Sequence, residues 1–142
     1  MMYTEGHLLR FSPFIFKNGA PPKTKYYIVL KHLDDKLMMA SLPTSKDHIP
    51  GDIPVVSGCI HIPERVVNAY VFMPHQEVTA THCFPLPTFI YGEQVDEYSQ
   101  DHLDKMDTLV EDLGFIQDKL FSELKECLKK SSLIKRKYRK LL

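Results

Sequence analysis

Apolar positions in the first 95 residues fall in short blocks, each cut by proline, glycine or a pair of aspartates. "HLLRFSPFIF" (7–16) predicts a strand broken at Pro13, and "KNGAPPK" (17–23) has turn chemistry throughout. "KYYIVLKHL" (25–33) is aromatic and β-branched, the composition of a buried strand. Asp34-Asp35 then makes a tight turn into "KLMMASLP" (36–43), so these two segments are expected to form a hairpin. "SKDHIPGDIPVVSG" (45–58) reads as an ordered loop. "GCIHIPE" (58–64) and "NAYVFMP" (68–74) are short strands ended by proline, and "TFIYGEQV" (88–95) is a strand with a bend at Gly92.

The period changes near Tyr98. Ser99 can cap a helix, with Tyr98 and Leu103 as a hydrophobic staple and Asp101 in the first turn. Leu103, Met106, Val110 and Leu113 recur at helical spacing, and Gly114 stands where such a helix would end or bend. Ile116, Leu120, Leu124 and Leu128 open a second apolar stripe. Strands first and helices last predict an α+β fold: one domain over 1–142, with a β-barrel or curled antiparallel sheet over 1–98 and a helical region over 99–142.

Charge adds an asymmetry that the zero net charge conceals. Residues 127–142 hold seven Lys/Arg and no acid, whereas residues 97–126 hold nine acids against three lysines. This suits an acidic helix followed by a basic helix end, or a tail that meets nucleic acid or an acidic partner. With 44% hydrophobic and 25% charged residues, the composition is that of a globular protein. Its apolar runs are too short for a membrane span, and the first residues show no secretory leader. Cys59, Cys83 and Cys127 are odd in number and form no CxxC, which predicts reduced thiols and a cytoplasmic location. Neither Cys59/His61 nor His75/His82/Cys83 has zinc-ligand spacing, so no metal or other cofactor is expected.

The candidate chemistry lies at the end of the second hairpin strand. Pro43 stops that strand and is followed by Thr44, Ser45 and Lys46. If the turn centres on Asp34-Asp35, residues whose numbers sum to 69 face each other, and Lys25 meets Thr44. A cation and two hydroxyls at one sheet edge can hold a phosphate, with Lys23 and Lys46 extending the cationic rim. The same residues also suit a hydroxyl-capped turn and solvated lysines. His48 is the first choice for a proton carrier, and His82 the second. Aromatic residues such as Tyr26, Tyr27 and Phe84 either fill the core or stack on bases; alternation lets only one of Tyr26 and Tyr27 face a groove.

These pieces together resemble the MazF/PemK-type toxin ribonucleases. "GHLLRF" (6–11) stands where that family has a G-[DH]-[IV] strand, and "KTKYYIVL" (23–30) where it has K-x-R-P followed by a β-branched run. "ASLPTSK" (40–46) is similar to a strand ending in P-[IL]-T-S, and "TFIYGEQV" and "DLGFIQDKL" to the late strand and helix. The resemblance implies an SH3-like barrel and a metal-independent endoribonuclease that cleaves single-stranded RNA. Lys25, Thr44, Ser45 and His48 would be catalytic, and Lys23 and Lys46 RNA-binding. It also implies a homodimer and an antitoxin protein as partner. Lys25 occupies the position of the family's catalytic arginine; it keeps the charge but not the bidentate fork. The alternative is therefore a non-catalytic SH3-like module that binds RNA or a peptide.

Overall fold

The computed structural model describes residues 3–42 and 49–142. Within them run eight strands: β1 (His7–Phe14), β2 (Lys23–Leu33), β3 (Lys36–Leu42), β4 (Gly58–Ile62), β5 (Val67–Phe72), β6 (Thr88–Ile90), β7 (Val95–Ser99) and β8 (Leu109–Phe115). Three helices follow or interrupt the late strands: α1 (Gln100–Lys105), α2 (Asp118–Lys129) and α3 (Arg136–Arg139). The strands form two antiparallel sheets, a five-stranded one ordered β7-β3-β2-β1-β8 and a three-stranded one ordered β4-β5-β6. The fold is α+β as expected. Among the described residues no ladder closes either sheet, so two open sheets stand where one curled barrel was expected; β3 approaches β6 between them.

The hairpin forms as its sequence directs. Leu33 faces Lys36 across the Asp34-Asp35 turn, and the pairing sum of 69 holds through Lys31 and Met38. A bulge at Leu30 then shifts it, so that Val29 faces Met39 and Tyr26 faces Leu42. One extra residue in one strand suffices for this slip. The register that placed Lys25 opposite Thr44 therefore does not persist to the end of the hairpin.

Strand alternation divides the core. On one face of the large sheet, Leu8, Ile28, Ala40 and Leu42 join Tyr70, Phe72, Ile90, Leu124 and Leu128 in a cluster that includes the small sheet and α2. On the other, Leu9, Phe11, Tyr27, Val29 and Met39 pack with Phe14 and with Leu103 of α1. A third cluster, including Ile60, Val67, Val71 and Phe89, lies on the small sheet and is joined by Ile49 and Ile53. α2 buries Leu124 and Leu128 as the second apolar stripe predicted, with Ile116 buried just ahead of it.

Two further expectations are overturned. Ser99 does cap a helix, its Oγ accepting the His102 N–H at 3.3 Å. That helix ends at Lys105, however, and 109–115 is a strand paired with β1 rather than a continuation. Val110 sits opposite Phe11, and Gly114, at φ +92°, fits closely against Thr79 rather than ending a helix. The partner strand decided the outcome: paired with β1, the segment packs Val110 against one core cluster and Leu113 against the other, which one helix face would not do. The other reversal concerns the thiols: Cys59 on β4 and Cys127 on α2 form a disulfide, with Cα atoms 5.6 Å apart. Only Cys83 is a free thiol among the described residues, so the step from cysteine pattern to a reducing compartment fails. No helix among the described residues is long and apolar enough to cross a membrane.

Candidate functional site

One line of residues crosses four strands of the large sheet. Glu111 on β8 faces Arg10 on β1, Arg10 faces Tyr26 on β2, and Tyr26 faces Leu42 at the end of β3. Thr44, Ser45, Lys46 and His48 follow β3 in sequence and lie outside the described residues. The row therefore leads to the base of the expected catalytic loop.

Its polar members are partly open. The side chains of Arg10 and Glu111 are 39% and 38% exposed and 3.6 Å apart. The Arg10 guanidinium lies 5.9 Å from the centre of the Tyr26 ring, within cation–π range. His82 approaches the same ring, with centroids 5.9 Å apart, and both rings contact Phe84. The 75–84 loop holds His82 in place. His75 N–H donates to the Phe84 carbonyl at 3.0 Å, Val78 N–H donates to the His82 carbonyl at 3.1 Å, and Thr79 Oγ1 donates to Leu113 O at 2.6 Å, fastening the loop to β8.

The electrostatics make His82 a neutral base. Burial first, and Arg10 second, push its imidazole below the usual histidine range, with Glu111 opposing. His82 Nε2 and Arg10 Nε are both buried without a hydrogen-bond partner among the described residues. Unmade hydrogen bonds at such atoms are costly, so each of these two groups calls for an explanation. A guanidinium fork, an uncharged imidazole and a flat ring, each partly exposed beside this core, suit a phosphate joined to an unpaired base.

Lys25 lies elsewhere. It faces Phe11, is only 8% exposed, and by strand alternation shares the face of Tyr27 and Val29 rather than that of Tyr26. Burial, aided by the neighbouring Lys23 ammonium, lowers its pKa. Lys23 itself is exposed at the start of β2. Of the expected site residues in the described part, neither faces the Arg10 row from its own side of the sheet. His82 was the second choice from sequence, whereas Arg10 and Glu111 were missed; the charged positions inside the apolar pattern of β1 were the signal that could have found Arg10. Among the described residues no group of three His, Cys, Asp or Glu side chains is arranged to hold a metal ion.

Another acid–imidazole pair lies farther along β1. His7, 3% exposed, donates through Nε2 to Asp112 Oδ1 at 2.7 Å and stacks on Phe115. That bond and the Gly114 N–H hold the Asp112 carboxyl below the usual carboxylate range. No protein-family model, curated protein or solved structure matches this chain in the comparisons made.

Proposed function

We propose that the Arg10–Tyr26–His82 face binds single-stranded RNA and cleaves it without a metal ion. In such a reaction the 2′-hydroxyl attacks the adjacent phosphorus and a base takes its proton; the P–O5′ bond breaks to leave a 2′,3′-cyclic phosphate, the departing 5′-oxygen takes a proton from an acid or water, and cations hold the phosphoryl charge. Arg10 supplies the bidentate cation that the Lys25 position lacks, and neutral His82 takes the proton. Tyr26 offers a stacking surface, and Thr44, Ser45, Lys46 and His48, which follow Leu42 in sequence, keep the roles the resemblance implies. The observation that carries this reading is the cross-strand row ending at Leu42, with an unpartnered imidazole beside its aromatic member.

The two open sheets are then an opened form of the small SH3-like barrel that the resemblance implies. A homodimer and an antitoxin segment competing for the same face belong to this reading. The burial of Lys25 favours a second one, in which the face binds RNA or a peptide without cleaving it.

Incubating the protein with end-labelled single-stranded RNA in EDTA separates the two. Cleavage that falls about 10²–10³-fold in Arg10→Ala, as expected on removal of one preorganised donor, supports the nuclease. RNA that is retained intact, with salt-dependent affinity, supports the binding module. RNA neither bound nor cut removes the nuclease and the RNA-binding module, leaving only the peptide-binding form of the second reading.

A further inference from the structure

The opposite face of the large sheet carries a cavity of about 280 Å³ between the loop after β1 and the junction of β7 with α1. Phe14, Phe16 and Tyr98 line it together with Lys17, Asn18 and Asp96. All three rings belong to the cluster around Tyr27, whereas Tyr26 packs against the other core, so the sheet separates this cavity from the Arg10 row. Phe14 stands edge-on to Phe16 at 5.2 Å and to Tyr98 at 5.8 Å, which fixes the walls.

The polar groups define what fits. Asp96 Oδ1 already accepts the Tyr138 hydroxyl at 3.0 Å and the Glu97 N–H at 2.8 Å, and a carboxylate has further acceptor capacity on its second oxygen. The Asn18 carbonyl oxygen accepts the Ala20 N–H at 3.0 Å, leaving its amide hydrogens to donate. Lys17 Nζ lies 6.0 Å from the Tyr98 ring centre. Ser99 and His102 complete the lining, with His102 Nε2 donating to the Ile15 carbonyl at 3.0 Å; one carboxylate and one ammonium balance, so a charged ligand would leave one of them unbalanced. A neutral ligand with a donor for Asp96 and an acceptor for Lys17 or Asn18 satisfies both. The cavity is also smaller than the roughly 300–1,000 Å³ of drug-sized sites, which limits the ligand to a small ring system.

We propose that this cavity binds a neutral, flat heteroaromatic base, held among Phe14, Phe16 and Tyr98, with an exocyclic amino group donating to Asp96. Such a site is independent of RNA cleavage and would respond to free nucleosides. It discriminates by chemistry at one ring position, because an amino group gives Asp96 a hydrogen bond and a carbonyl oxygen repels it.

Calorimetric titration of the full chain with adenosine and with inosine tests this. The expected result is saturable adenosine binding at least about tenfold tighter than inosine, the effect of losing one good hydrogen bond. Asp96→Asn keeps an oxygen for Tyr138 and adds a donor for the inosine carbonyl, so the preference disappears. Phe16→Ala weakens adenosine binding and Arg10→Ala leaves it unchanged. Absence of saturable adenosine binding at millimolar concentration overturns the proposal, as does equal affinity for the two nucleosides. So does binding that Arg10→Ala abolishes and Phe16→Ala does not alter.

Discussion

Cys127, near the end of α2, is bonded to Cys59 on β4 across 68 residues of sequence. The bond fixes the helix to the outer strand of the small sheet, at the point where Asn68 Nδ2 donates to the Cys127 carbonyl at 3.0 Å. A cross-link of this span restricts the unfolded chain by about 4 kcal/mol in the loop-entropy account. Reduction, or Cys59→Ser with Cys127→Ser, is therefore expected to lower the unfolding free energy by a large part of that amount in urea titrations. Alkylation before reduction should label Cys83 alone, and all three cysteines afterwards; labelling of all three in the untreated protein would refute the cross-link.

Lys25 should cost stability while charged. Burial lowers its pKa, so in the window between its folded and unfolded values the unfolded chain binds more protons, and stability rises with pH there. Lys25→Met removes the charge and keeps the stem. It is expected to raise the melting temperature at neutral pH and to flatten the pH dependence of stability on the alkaline side. If RNA cleavage is present, the same variant should retain it; abolished cleavage would return the catalytic cation to this position.

His82 sets a pH signature for the proposed reaction. Its pKa lies below the ordinary histidine value of about 6.5, through burial and then Arg10. The acid limb of kcat/KM should fall below that pH, since the free base is the working form. Arg10→Ala removes a repelling charge and should move the limb upward in whatever activity remains. A limb that stays in place on Arg10→Ala and persists in His82→Ala would exclude His82 as the base.

Gly92 reports on the docking of the C-terminal segment. A Cβ there would stand 2.5 Å from Ser131 Oγ, 2.9 Å from Ser131 Cβ and 3.1 Å from Ile134 Cβ, all belonging to buried residues. Gly92→Ala should destabilise by about 1–3 kcal/mol, the usual cost of overpacking. Adding Ser131→Gly should recover part of that loss. A neutral Gly92→Ala in urea denaturation would show that the two segments do not meet this closely.

Much of the fold was legible because local chemistry and tertiary structure agreed. Asp34-Asp35 turns the hairpin, Pro63 ends β4, Ser99 caps α1, and the Leu124–Leu128 stripe faces the core. What stayed hidden depended on distant partners. Leu109–Phe115 shows apolar spacing that a helix also satisfies, and only pairing with β1 makes it a strand. Cys59 and Cys127 meet because α2 lies across β4 and β5, which spacing does not reveal. At the site, turn symmetry gave the pairing near Leu33 correctly, but a bulge at Leu30 altered it before Lys25. Arg10 stands alone as a cation among apolar residues of β1, and its cross-strand neighbours give it significance.

The placement of β8 beside β1 also has a consequence for biosynthesis. β1, β2 and β3 can pair once residue 42 has been made, but the far edge of β1 waits for residues 109–115. At about 5–20 residues per second, that wait lasts roughly 4–15 s. During it, the nascent chain presents a bare row of backbone donors and acceptors beside Leu9 and Phe11, a ready template for mispairing with another strand.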